Sequence, residues 1–110
     1  ADINQAGQDE MKKLAQALIE LEKEIPPEIN WVLRVDGHTD NVPITGGRFQ
    51  DNWALSSARA IAVVKFLIAN GVSPDRLVAA GFGEYEPLDP ADTPEARAKN
   101  RRIELKLTEK

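Results

Sequence analysis

Apolar residues recur along the first quarter of the chain at three- and four-residue steps: Met11, Leu14, Leu18, Leu21 and Ile25. That spacing lays one apolar stripe along a helix over residues 1–24, with a frayed start. Lys12, Lys13, Glu20, Glu22, Lys23 and Glu24 fall mostly off the stripe and are expected to face water. Asn4 and Asp9 are the candidate caps, and Pro26-Pro27 stops the helix, because proline lacks an amide and disfavours helical geometry in the residue before it. From residue 31 the period changes to two. Trp31, Leu33 and Val35 alternate with Val32, Arg34 and Asp36, which predicts a strand over 31–36 closed by Gly37. Pro43, Gly46 and Gly47 mark a loop over 39–51. Asn52 is the candidate N-cap of a helix over 53–70. This second helix is apolar nearly all round, from Leu55 to Ile68, so it calls for a sheet on one side and a partner on the other. Gly71 suits the position just past its end, and Ser73-Pro74-Asp75 starts a single helical turn. A strand over 77–82 follows, then a turn-rich connection over 84–94. Thr93 caps a short helix reaching Lys99, and Ile103, Leu105 and Leu107 alternate with Glu104, Lys106 and Thr108 in a last strand over 102–108.

Helix, strand, helix, strand, short helix, strand predicts an α+β two-layer sandwich, its helices packed on one face of a small mixed sheet. The second helix serves as the crossover between two parallel strands. At 110 residues the chain is read as one domain, residues 1–110, with a single core. A formal net charge of −4 excludes a general nucleic-acid binder and disfavours anionic membrane surfaces, since both need a basic face. The absence of cysteine excludes disulfides and thiolate metal sites. No uninterrupted apolar run approaches the ~20 residues of a membrane span.

Charge and composition leave the chemistry to one stretch, residues 35–60, which concentrates Asp36, His38, Thr39, Asp40, Asn52 and Arg59. On a helical wheel at ~100° per residue, Arg59 falls between Phe66 and Val63, close to Leu55, inside the apolar arc. A guanidinium keeps its proton, so on a buried face it needs an anionic or carbonyl partner. Asp40, at the start of the loop feeding this helix, is the best candidate within the chain. Two readings stand level on the residues alone. In one, Arg59 and Asp40 form an internal salt bridge that pins the loop. In the other, they are held apart as a receptor for a zwitterion, the guanidinium taking a carboxylate and Asp40 an ammonium. His38-x-Asp40 with Asp36 suggests a metal site only weakly, because the chain has one histidine and no cysteine. Ser56 and Ser57 have no G-x-S-x-G setting, and no second carboxylate pairs with Asp40, so catalysis is not expected and no cofactor is implied. Arg101-Arg102 reads as solvated charge at the start of a strand.

Four segments in order, GHTDN (37–41), NWALSSARA (52–60), RLVAAGFGEYEP (76–87) and RAKNRRIE (97–104), resemble the OmpA-like peptidoglycan-binding domain. The likeness runs from Gly37 to the C-terminus, and the first helix fits it. The long loop VPITGGRFQD and the tryptophan of N-W-x-L-S are most similar to the branch containing the periplasmic domain of the flagellar stator protein MotB. The resemblance implies non-covalent binding of the peptidoglycan stem peptide at its diaminopimelate residue, with no enzymatic activity. It assigns Asp40 to the ligand's ammonium and Arg59 to its carboxylate. It sets Thr39, Asn52 and Leu55 around the same pocket and Arg102 near its rim. A periplasmic location and attachment to a membrane through a segment outside this chain go with it, while a homodimer is the expectation only of an open sheet edge. The family's opening strand, ending in an F-x-x-G-S-A-like segment, is expected to precede Ala1, leaving this chain's sheet one strand short with an edge open to pairing.

Overall fold

The computed structural model describes residues 4–44 and 47–110. The expected frayed start at Ala1 to Ile3, and Gly46 in the loop, lie outside them. The chain forms α1 (Gln5–Glu24), β1 (Trp31–His38), α2 (Asn52–Ala69), a 3-10 turn (Pro74–Arg76), β2 (Leu77–Gly81), α3 (Pro94–Asn100) and β3 (Arg102–Glu109). The three strands make one sheet in the order β2-β1-β3, with β1 parallel to β2 and antiparallel to β3. This is the α+β mixed sheet that the element order predicts, and α2 is the crossover between the parallel pair.

The caps follow local chemistry. Asn4 receives the Gly7 amide on its side-chain oxygen at 2.8 Å, closing the start of α1. Ile25, ahead of Pro26, is extended at φ −77 and ψ 130, so the helix ends there. Thr93 takes the Ala96 amide at 3.1 Å and opens α3. At α2 the expectation needs correction. The N-cap is Asp51, whose carboxylate accepts the Ala54 amide at 2.8 Å, and Asn52 is the first helical residue. The carboxylate also suits the positive end of the helix dipole, and it leaves the Asn52 amide free to turn inward.

The core lies between the helices and one face of the sheet. Ala15 and Leu18 of α1, Leu33 and Val35 of β1, and Ala60 and Leu67 of α2 meet there, all buried. Asn52, Ser56, Ala60, Val63 and Leu67 recur at four- and three-residue steps, so α2 presents one continuous stripe to that core. By length and composition α2 is apolar enough to cross a membrane; here the buried stripe packs on the sheet. Its outward face carries Trp53, Ile61 and Ile68, exposed in this single chain.

β1 runs two residues past the expected end, because Gly37 does not terminate it. A Cβ on Gly37 would stand 2.1 Å from the Ser56 carbonyl oxygen. The glycine lets the backbone of α2 lie directly on the strand. That close approach brings the start of α2 to the end of β1.

Candidate functional site

Past His38 the chain leaves the sheet, yet its first residue stays anchored. The Thr39 amide donates to the Gly83 carbonyl at 2.9 Å, and the Thr39 hydroxyl donates to the Asp40 carbonyl at 2.9 Å. Thr39 is buried. Asp40 then bends the loop: its Oδ1 accepts the Val42 amide at 3.1 Å. The Asn52 side-chain amide reaches across from α2 and donates to the Asp40 carbonyl at 3.3 Å, the Val42 carbonyl at 3.2 Å and Glu84 Oε1 at 3.4 Å. One buried amide thus ties together the loop after β1, the start of α2 and the loop after β2.

Leu55 and Arg59 follow Asn52 by three and seven residues, so they share its side of the helix. Both are half-buried. Among the described residues Arg59 makes no ion pair or hydrogen bond, and the internal Asp40–Arg59 bridge weighed from the sequence is not formed. Asp40 is paired instead with Arg101, whose Nη1 donates to Oδ2 at 2.7 Å. The structure therefore gathers Thr39, Asp40, Asn52 and Arg101 by direct contact, with Leu55 and Arg59 on the adjoining helix face.

Arg102 lies elsewhere. β3 pairs it with His38, and its guanidinium donates to Glu104, to the Asn100 carbonyl at 3.3 Å and to the Glu86 carbonyl at 2.9 Å. It lines a polar hollow of about 280 Å³ on the open face of the sheet, with Arg34, Asp36, His38 and Glu104. Sequence reading missed Arg101 and Glu84. Strand parity was the available signal for Arg101: if Arg102 faces one way at the start of β3, its neighbour need not share that direction.

The weak metal reading dissolves for a similar reason. Asp36 and His38 stand on the open face of β1, where Arg34 grips Asp36 through two hydrogen bonds of 2.7 and 2.9 Å, whereas Asp40 lies beyond the strand and is engaged by Arg101. No group of three potential ligands gathers among the described residues. His38 is buried and stacked on Phe82 with ring centroids 5.0 Å apart. Burial, and then the nearby Arg102 charge, hold its pKa below the ordinary histidine value. Neither ring nitrogen has a hydrogen-bond partner among the described residues.

Fold and junction together define a small α+β domain whose charged side chains collect where a central strand ends and a helix begins. The chain belongs to the OmpA family, whose model matches residues 1–101. Membership makes it a non-enzymatic structural and binding domain. It is 44% identical over 72 residues to Motility protein B of Bacillus subtilis, covering 64% of this chain and 28% of that protein. Over 71 residues it is 41% identical to the peptidoglycan-binding protein ArfA of Mycobacterium tuberculosis, covering 64% and 21%. Among solved structures, the C-terminal domain of Helicobacter pylori MotB superposes with a TM-score of 0.84 at 30% identity, covering 99% of this chain and 78% of that one. The chain spans less than a third of the length of these two curated relatives.

Proposed function

We propose that this domain binds peptidoglycan non-covalently, taking the zwitterionic centre of a diaminopimelate stem residue between Asp40 and Arg59. In this reading it anchors the periplasmic part of a motility protein B-like envelope protein to the cell wall. Attachment to a membrane is supplied by a segment outside this chain, and pairing of two copies is compatible with the apolar outer face of α2. The observation that carries the proposal is Arg59: a half-buried, permanently charged guanidinium beside Leu55, on the helix face shared with Asn52, without an ion-pair partner among the described residues. Such a group is costly to leave unpaired and suits a carboxylate from outside. The likeness to ArfA, a peptidoglycan-binding protein, supports peptidoglycan as the ligand. Thr39, Asn52 and Leu55 shape the pocket, while the rim position that the resemblance gave to Arg102 passes to Arg101.

Co-sedimentation with purified peptidoglycan tests the reading. Wild type pellets with the wall, and Arg59→Ala and Asp40→Ala remain in the supernatant while still unfolding cooperatively. If both variants pellet as wild type does, the pocket is misassigned.

A further inference from the structure

We infer that Arg101 is an internal competitor for the ligand's ammonium and that its displacement makes the site discriminate between an amino acid and a simple amine. The inference rests on the proposed Asp40–Arg59 pocket.

In the free domain each oxygen of the Asp40 carboxylate holds one partner. Oδ1 holds the Val42 amide at 3.1 Å, and Oδ2 holds Arg101 at 2.7 Å. An ammonium arriving at Asp40 meets a cation already there, and two cations on one carboxylate repel. At Oδ2, in this inference, the entering ammonium takes the place of the guanidinium.

The structure makes that exchange local. The Asp40 side chain is only 14% exposed, whereas that of Arg101 is 46% exposed. Arg101 forms the C-cap of α3, its amide donating to the Arg97 carbonyl at 3.2 Å. Next to it, Arg102 is bonded to Glu104 and to the Asn100 and Glu86 carbonyls. The backbone at Arg101 is thus held from both sides, and only its side chain has to swing. A guanidinium released this way stays close to the junction.

What happens next depends on the ligand. A ligand bearing a carboxylate next to its ammonium offers the freed guanidinium a new partner alongside Arg59, so the broken ion pair is replaced. An amine without a carboxylate offers nothing in return and carries the full loss of the Arg101–Asp40 contact. Arg101 thereby penalises amines and spares zwitterions, which is selection by a repulsive element as well as an attractive one.

Two probes of equal ammonium spacing separate the effects: meso-diaminopimelate, and cadaverine, which is the same carbon chain without its two carboxylates. Each is titrated by NMR into the wild-type domain and into Arg101→Ala. The expected result is that Arg101→Ala tightens cadaverine about two- to fivefold, the scale of a partly exposed ion pair, and does not tighten diaminopimelate, which loses the guanidinium as a partner for its carboxylate. The preference for diaminopimelate over cadaverine then falls. A preference unaltered by the substitution, including cadaverine binding undetectable with both proteins, overturns the role of Arg101 while leaving the pocket standing. Failure of diaminopimelate to bind either protein removes the pocket itself, and this inference with it.

Discussion

Single side chains in this domain serve two ends, and position in the sheet decides which. His38, inside the most recognisable motif of the chain, belongs to the open face of the sheet, not to the Asp40 junction. It has no hydrogen-bond partner among the described residues. The charged groups around it are Arg34 and Asp36 from β1, Arg102, Glu104 and Lys106 from β3, and Glu86 from the loop after β2. Burial disfavours its protonation in the fold, whereas an unfolded chain takes up a proton near the ordinary histidine value of about 6.5. The unfolded state therefore binds more protons below that pH, and stability falls as pH drops through it. Glu104 works in the same direction lower down: its pKa is depressed, first by the Arg102 hydrogen bond, so its contribution fades as pH falls below about 4.5. Urea denaturation of wild type and His38→Gln at pH 7.5 and pH 5 checks this. Wild type is expected to lose stability at pH 5, and His38→Gln to lose less. An equal loss in both would assign the acid sensitivity to the carboxylates.

At the scale of elements, the start of α2 is divided between two adjacent polar residues. Asp51 does the local work of capping, outside on the helix end, and Asn52 does the tertiary work of joining three segments from a buried position. Asp51→Ala is expected to cost about 1 kcal/mol, the usual scale of a lost N-cap, with peptidoglycan binding retained. Asn52→Ala is expected to cost about 1–3 kcal/mol, since it strips the Asp40 and Val42 carbonyls of a shared donor, and to loosen binding as well. Chemical denaturation and co-sedimentation on the same two proteins separate the roles; reversed rankings would restore Asn52 as the cap. Both residues are good cap formers, so sequence alone ranked them poorly. What decided between them was the fit of Gly37 against Ser56, which brings Asn52 over the loop.

Over the whole molecule, β1 is the centre: it pairs with both other strands, and its inward side chains share one core with those of both long helices. A small domain with one such core is expected to unfold in a single cooperative step. Leu67, on α2, is the largest fully buried side chain among the described residues. Leu67→Ala is expected to cost about 2–5 kcal/mol with an unchanged dependence on denaturant. A reduced dependence would mean that α2 and the sheet part company before global unfolding.

The sequence by itself determined the element order and the two-layer α+β class, and it singled out Thr39, Asp40 and Asn52, which the structure brings to one junction. Periods of 3.6 and two, proline and glycine stops, and side-chain caps are encoded within a few residues, and local backbone sterics read them directly. The wheel position of Arg59 and the polarity of Asp40 were legible for the same reason. Only the tertiary structure decided which arginine meets Asp40, which polar residue caps α2, and why Gly37 is a glycine. Those outcomes depend on contacts between segments far apart in the chain: Asp40 and Arg101 are 61 residues apart, and Asn52 and Glu84 are 32 apart. No local pattern specifies such a meeting. It follows from strand parity in β3 and from how closely α2 can lie on β1, and both are properties of the packed sheet.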